Sequence, residues 1–310
     1  MTHMVSLIVA TKDRPSDLTR LLESLRLQTI QPVEIVLVDS SSDPIQSLVA
    51  GFSGLNLRYL RHWPPSAAAQ RNAGIRACMP AATLIGFADD DTVFEPNALE
   101  RMLGFWESAE PDVLGVSFNI RNYPQRGKAM LKHSALAERL GLYSSRLGRV
   151  SPSGWQTIIV GIAETQFVDW VPSTAVVFRR EVFDHNTFDE FFESYSYLED
   201  LDLSYTLSRS GRLAVVADAG FSHFPSSGGR VSARVFGRYE VRNRLFFVRK
   251  HKLSLIRCYI CFAIRLAISL GNGLIQRDVN LLFRALGNMQ ELMRLNSTSH
   301  SKIVESSLQS

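Results

Sequence analysis

Three consecutive carboxylates, Asp89-Asp90-Asp91, are the residues of this chain whose types and spacing come nearest to chemistry. Adjacent carboxylates repel one another unless a cation or hydrogen-bond donors gather them. In an extended segment alternate side chains share a side, so Asp89 and Asp91 can approach one hard divalent ion together. Such a pair holds Mg2+ or Mn2+, with water and substrate phosphate completing the shell. The same residues also read as an exposed acidic turn capping the helix that begins near Pro96.

The elements around them place other polar groups on the same edge. Val5 to Ala10 is an aliphatic strand pattern that stops at Thr11, Asp13 and Arg14. An amphipathic helix over about Ser16 to Leu27 follows, with Leu18, Leu21, Leu22 and Leu25 on one stripe. Val33 to Val38 is a second strand and ends at Asp39; Leu55 to Leu60 is a third. An alanine-rich helix spans Ser66 to Cys78, and Thr83 to Phe87 is a fourth strand running into the triple Asp. A further helix follows Pro96, with a strand near Val113 to Phe118. This alternation predicts βαβ units, hence an α/β fold with a mostly parallel sheet flanked by helices. Ligands of such sheets bind outside the carboxyl ends of the strands, where these acids fall.

Residues 121–166 have weaker periodicity and read as a variable insertion. Strand patterns return at Phe167 to Pro172, Ala175 to Phe178 and Leu213 to Ala217, with a helix over Glu199 to Arg209. Glu199 and Asp200 open that helix, where acids complement its dipole.

The composition is that of an ordinary globular protein: 310 residues, 45% hydrophobic and 21% charged. This excludes disordered, collagenous and disulfide-stapled classes. The net charge of +4 is unevenly spread, because Arg230 to Arg265 holds ten Lys/Arg against the single acid Glu240. A basic C-terminal segment points to an anionic surface or ligand, and no nucleic-acid motif accompanies it. Leu253 to Leu270 is almost wholly apolar apart from Arg257, Arg265 and two serines. Two arginines make a membrane span costly, so the expectation is an amphipathic helix lying in the membrane interface beside the basic run Arg249 to Lys252. Packing on the main domain is the other reading. Cys78, Cys258 and Cys261 read as small buried hydrophobes, and the absence of a leader pattern before Val5 suggests a cytoplasmic protein, at most peripheral on the inner membrane face.

Val5 to Pro15, Val36 to Ser42, Gln70-Arg-Asn-Ala-Gly-Ile75 and Phe87 to Thr92 resemble successive blocks of the family-2 glycosyltransferases, which have the GT-A fold. Trp170 to Thr174, Phe178 to Arg180, Phe188 to Glu190 and Tyr197 to Ser204 are similar to that family's acceptor-side blocks. The resemblance covers about residues 5 to 250, so it implies a GT-A domain over 1–250 and a C-terminal helical segment over 251–310. Within the domain, 1–120 would bind the nucleotide sugar and 167–250 would form the acceptor and catalytic half.

The resemblance implies roles residue by residue. Thr11, Asp13, Arg14, Asp39, Arg71, Asp89, Asp90 and Arg230 would bind the nucleotide sugar, Asp39 by accepting from the base. Asp89 and Asp91 would hold Mn2+ or Mg2+, with His223 as a third ligand. Asp200, beside Glu199, would be the general base of an inverting transfer. Trp170 would stack on an acceptor sugar and Asp202 would line that side, although a core tryptophan is a second reading. The tail Tyr239 to Arg244 is similar to bacterial enzymes of surface polysaccharide synthesis, implying a UDP- or dTDP-linked donor and a glycan acceptor carried on lipid. Two rivals are a nucleotide-sugar-binding scaffold without catalysis and a nucleotidyltransferase. The latter normally carries a glycine-rich loop after the first strand, and Thr11 to Pro15 has no glycine.

Overall fold

A computed structural model describes residues 3–123, 134–226 and 231–307, with side chains as far as Leu295. The chain forms two compact units. The first comprises Met1–Met130, Arg146–Val150 and Gln156–Gly229; the second comprises Leu131–Ser145, Ser151–Trp155 and Arg230–Ser310.

In the first unit, β1 (Val5–Thr11), α1 (Pro15–Arg26), β2 (Glu34–Asp39), α2 (Gln46–Ala50), β3 (Leu57–Arg61), α3 (Ala67–Ala77) and β4 (Leu84–Asp89) alternate as the periodicity predicts. Their strands lie parallel in the order β3-β2-β1-β4. Beyond them come β5 (Thr92–Phe94), α4 (Ala98–Ser108) and β6 (Val113–Ile120). After α5 (Ala135–Arg139), a short helix of the second unit, follow β7 (Gln166–Val168), β8 (Ala175–Arg179), α6 (Glu199–Leu207) and β9 (Arg212–His223).

The sheet has nine strands in the order β3-β2-β1-β4-β8-β6-β9-β5, with β7 on β9. Six strands share one direction, and the sheet is mixed because β8 runs against both β4 and β6, and β5 and β7 run against β9. Ala175 to Phe178 is buried on both faces, and such a strand carries no alternation that reveals its direction.

Side-chain alternation builds a core on each face. Leu7, Val9, Ile35 and Leu37 meet Leu18, Leu21 and Leu25 of α1 and Met102 and Trp106 of α4 on one side. Ile8, Val36, Val38 and Phe87 meet Ala68 and Phe188 on the other. Each fully buried large side chain contributes roughly 1.5–3 kcal/mol. Gly74 lets α3 lie close on the sheet, since a Cβ there would stand 2.4 Å from Ile8 Cγ2.

The second unit contains α7 (Ala233–Lys250), α8 (Leu255–Ile275) and α9 (Val279–Ser307). Helices α7 and α9 cross at two glycines. A Cβ on Gly237 would lie 2.2 Å from the Arg284 carbonyl oxygen, and one on Gly287 2.0 Å from that of Arg234. Beside the crossing, buried Glu240 accepts from Arg284 at 2.7 and 3.0 Å and from Asn288 at 3.2 Å. This network makes α7 a partner of α8 and α9, so the unit's C-terminal stretch takes in α7 and is not confined to 251–310 as the resemblance implied. The unit also takes in 131–145 and 151–155 of the expected insertion.

Helix α8 is long and apolar enough by length and composition to cross a membrane. Cys258, Cys261 and Phe262 are buried, Phe262 against Trp155, while Ile256, Leu274 and Ile275 are 76%, 70% and 82% exposed. Arg265 turns inward, 3.5 Å from Glu240, rather than outward to a membrane surface.

Alanine is a better helix former than glycine by about 1 kcal/mol. Gly287→Ala is nevertheless expected to destabilise the helical unit, by about 1–3 kcal/mol, because its methyl must push two backbones apart. Denaturant unfolding of the variant against wild type measures the sign.

Candidate active site

The strand ends β1, β2 and β4 carry the acids toward one edge, and β9 brings the histidine to meet them. Asp89 closes β4, Asp91 immediately precedes β5, and β5 pairs antiparallel with the end of β9 so that Thr92 faces His223. Asp91 is held further by Phe224 N–H donating to its carbonyl at 2.9 Å and by Ser226 N–H donating to Oδ2 at 3.1 Å. One ligand atom from each of Asp89, Asp91 and His223 lies within 4.8 Å of the others. Among the described residues Asp91 Oδ1 is a buried oxygen without a hydrogen bond of good geometry, and it stands 3.0 Å from His223 Nε2. Two carboxylates and an imidazole converging on one such oxygen form a donor set suited to Mn2+ or Mg2+. Burial opposes ionisation of Asp91, yet His223, the Ser226 amide and Arg14 outweigh it and hold its pKa below the ordinary carboxylate value.

Asp90 points elsewhere. It accepts from Thr11 Oγ1 at 2.8 Å and Arg14 Nη1 at 3.0 Å and is 3% exposed. Burial pushes its pKa up to about 6 despite Arg14 and Thr11. Thr11, Arg14 and Asp90 therefore tie β1 to the Asp89–Asp91 turn, and Asp90 is turned inward rather than toward a donor.

Arg71 of α3 is also engaged within the protein. Its Nη1 donates to Glu199 Oε1 at 2.5 Å and its Nη2 to Asp89 Oδ1 at 2.9 Å, while its guanidinium lies 5.5 Å from the Phe188 ring centroid. The arginine is 5% exposed and links the Asp89 turn to the start of α6 rather than opening toward a base. Burial, joined by the Asp200 charge and opposed by Arg71, pushes Glu199 up to about 8. Burial likewise raises the pKa of Asp200, against hydrogen bonds from Leu201 and Ser173 and the charge of Arg71.

The approach to α6 is conformationally strained. Ser194, Ser196 and Leu198 have φ of 56°, 51° and 79°, in the left-handed region that costs non-glycine residues about 1–3 kcal/mol each. Ser196 is fully buried and its hydroxyl anchors the segment, donating to Phe192 O at 2.6 Å and accepting from Ala68 N–H at 3.2 Å.

A raised folded pKa makes Glu199 stabilising at low pH and costly once ionised. The contribution is present below its ordinary value of 4.5 and is lost as pH rises through about 8. Relative to Glu199→Gln, wild type is thus expected to lose several kcal/mol of stability across that window. Urea unfolding of both proteins as a function of pH checks it; a flat difference would contradict it.

Asp39 sits in a separate corner. It accepts from Tyr59 Oη at 2.7 Å, Arg61 Nη1 at 2.6 Å and the Ser41 amide at 2.7 Å, and it is fully buried. Burial opposes its ionisation, but these donors hold its pKa below the ordinary value. Asp13, with φ of 54°, lies exposed at the rim, its carboxylate accepting from Ser42 N–H at 2.7 Å. Tyr59 and Arg61 escaped the sequence reading, which names Gln70 within a block but without a role. Gln70 donates to the carbonyls of Thr11 and Val38, at 3.1 and 2.8 Å, and so staples the ends of β1 and β2. The alternation of β3 puts Tyr59 and Arg61 on one face, but only the register that sets Arg61 beside Asp39 gives that face a purpose.

Two acceptor-side expectations do not fit. Trp170 is 6% exposed and donates its indole N–H to the Thr157 carbonyl at 2.8 Å, so its ring packs rather than offering a platform. Asp202 is 2% exposed inside α6. Arg230 lies outside the described residues.

The first unit, with its parallel strand-helix half, its antiparallel continuation and its acids at the strand ends, has the GT-A architecture of nucleotide-sugar transferases. The mannosyltransferase PcManGT from Pyrobaculum calidifontis, solved with GDP-Man and Mn2+, is similar at a TM-score of 0.57 and 15% identity, covering 94% of this chain and 88% of that one. S. aureus TarS 1-349, solved with UDP, gives 0.55 and 18%, covering 87% and 74%. A model of glycosyl transferase family 2 matches residues 6–184, more than half the chain, and the chain belongs to that family. It is 29% identical to the uncharacterized glycosyltransferase YwdF of Bacillus subtilis (strain 168) over 157 residues, 48% of this chain and 56% of YwdF. The chain thus spans about half the length of that curated relative.

Proposed function

We propose that this glycosyltransferase transfers a sugar, with inversion, from a UDP- or dTDP-linked donor to a glycan acceptor carried on lipid, in the synthesis of a bacterial surface polysaccharide. The observation that carries the reading is the pairing of β5 with β9, which gathers Asp89, Asp91 and His223, together with the arginine that joins Asp89 to the Glu199-Asp200 helix start. Asp89, Asp91 and His223 would hold Mn2+ or Mg2+, which when bound offsets the charge of the diphosphate leaving group.

Asp200 serves as the base. It takes the proton of the acceptor hydroxyl as that oxygen bonds to the anomeric carbon and the bond to the diphosphate breaks. Its raised pKa suits the role, because a base near the working pH holds a proton more firmly than an ordinary aspartate does. Arg71 positions both carboxylate turns, and the Asp39 corner with Tyr59 and Arg61 receives the nucleoside. The exposed apolar residues of α8 and the basic segment that begins at Arg230 support peripheral contact with the inner membrane face.

Two measurements test this. Calorimetric titration with UDP, dTDP and GDP in Mn2+ should give binding for a pyrimidine nucleotide, and tighter GDP binding would overturn the donor class. Flotation with anionic liposomes at low salt should carry the protein upward. A protein that stays below would sink the membrane reading.

A further inference from the structure

The helical unit contains a cavity of about 300 Å³ lined by Val235, Arg238, Tyr239 and Arg242 of α7 and by Glu291 and Arg294 of α9. Glu291 is 1% exposed and accepts from both helices: from Arg238 Nε at 3.1 Å, and from Arg294 Nε and Nη2 at 3.0 and 2.5 Å. Burial opposes its ionisation, but Arg294 and Arg238 hold it in the charged form. It therefore fixes two guanidinium groups at the cavity wall while offsetting one of their charges. Arg238 and Arg294 keep about half their surface in solvent, at 49% and 50%. Arg242, one turn further along α7, lies with its guanidinium 5.1 Å from the Tyr239 ring centroid, which restrains it on the same wall.

Among the described lining residues, three guanidinium groups stand with one carboxylate on a concave surface, Arg242 also donating from Nε to Asn243 Oδ1 at 3.2 Å. The planar forks of arginine match phosphate oxygens in pairs. The volume is at the small end of ligand sites, enough for a phosphate or diphosphate group and not for a long chain. The same unit exposes apolar residues at both ends of α8, Ile256 at its start and Leu274 and Ile275 at its finish, surface that a lipid phase would cover.

We propose that this cavity binds the phosphate or diphosphate head of a membrane lipid, with Arg238, Arg242 and Arg294 as its ligands and Glu291 as their positioning residue. The anion site stands on the helical unit's own geometry, and it rests on the acceptor reading above only for which lipid supplies the head. A phospholipid and a lipid-diphosphate acceptor present the same chemistry.

The probe is inorganic pyrophosphate, titrated calorimetrically into the full chain in EDTA, where metal-dependent donor binding is silent. Wild type is expected to bind. Arg242→Gln should weaken binding several-fold and Arg238→Gln/Arg242→Gln by tenfold or more, roughly one charge-assisted pair each. The exposed pair Arg76→Gln/Arg277→Gln removes the same charge elsewhere and should change the affinity less than twofold. No binding by wild type, an unchanged double variant, or an equal loss in the control pair would each overturn the proposal. Arg242 alone is the safeguard against misfolding, since Arg238 also braces Glu291, and thermal melting confirms that each variant is folded.

Flotation then assigns the source. Capture by neutral vesicles doped with phosphatidylglycerol, lost in the double variant, identifies a phospholipid head. Capture by vesicles doped with a polyprenyl diphosphate alone identifies the acceptor carrier. Capture by both dopants that is equal in wild type and double variant would show diffuse attraction and overturn the site. Binding of UDP with Mn2+ should be the same in wild type and the double variant, so failure of the donor reading and failure of this site are seen in different experiments.

Discussion

Asp200→Asn is expected to lower the rate of sugar transfer by about 10²–10⁴-fold while leaving nucleoside diphosphate binding nearly unchanged. Asparagine keeps the size of the side chain but has no oxygen basic enough to take the acceptor proton in the proposed mechanism. The pH profile carries the sharper signature. Burial raises the pKa of Asp200 above its ordinary value of 3.8, and the base works only when ionised. Wild-type kcat/KM should therefore fall as pH drops through that raised value, and the residual rate of the variant should show no such limb. A scaffold that merely binds nucleotide sugars would show neither the rate loss nor the limb. Steady-state transfer across pH for both proteins, with UDP binding measured in parallel, decides between them.

Asp91→Asn is expected to weaken Mn2+-supported UDP binding by about 100-fold or more. The proposed cation is what would offset the diphosphate charge, and Asp89 and His223 alone would hold it weakly, since even support residues of such sites cost 10–100-fold. The geometry is the ground for expecting a larger effect at this carboxylate than at its neighbours. Its Oδ1 is the buried oxygen that stands 3.0 Å from His223 Nε2, and its Oδ2 is fixed by the Ser226 amide. His223→Ala should have a smaller effect and a different one, reducing the preference for Mn2+ over Mg2+, because imidazole suits the softer ion. Titration of UDP into each variant with Mn2+, Mg2+ and chelator reads both effects. Wild-type affinity in Asp91→Asn would remove the metal from the site altogether.

What could be read from the chain and what could not follow a physical division. Asp89 to Asp91 stood out because three adjacent carboxylates repel unless something gathers them, but it is the turn between β4 and β5, and not strand alternation, that brings Asp89 and Asp91 together. The parallel half was legible because each strand is followed by a helical period. The direction of β8 was not, since a strand buried on both faces looks the same either way. His223 entered through the resemblance, and its place depended on the β5–β9 pairing across more than a hundred residues. Arg71 was found as a residue, but its contacts with Asp89 and Glu199 come from α3 packing close on the sheet at Gly74. Tyr59 and Arg61 were missed because half-exposed aromatic and basic residues on an edge strand are ordinary until the register sets them beside Asp39. The helical unit starts earlier than expected for a similar reason. Gly237 and Gly287 look like weak points of helices until the two backbones are seen to touch there.

The most direct test is release of nucleoside diphosphate by wild type from a panel of UDP-, dTDP- and GDP-sugars, without acceptor, in Mn2+ and in EDTA. The expected result is slow release from a single pyrimidine-linked donor, abolished by EDTA. Release that continues undiminished in EDTA, or a panel that gives neither release nor binding of any donor, would contradict a metal-held nucleotide sugar at Asp89, Asp91 and His223.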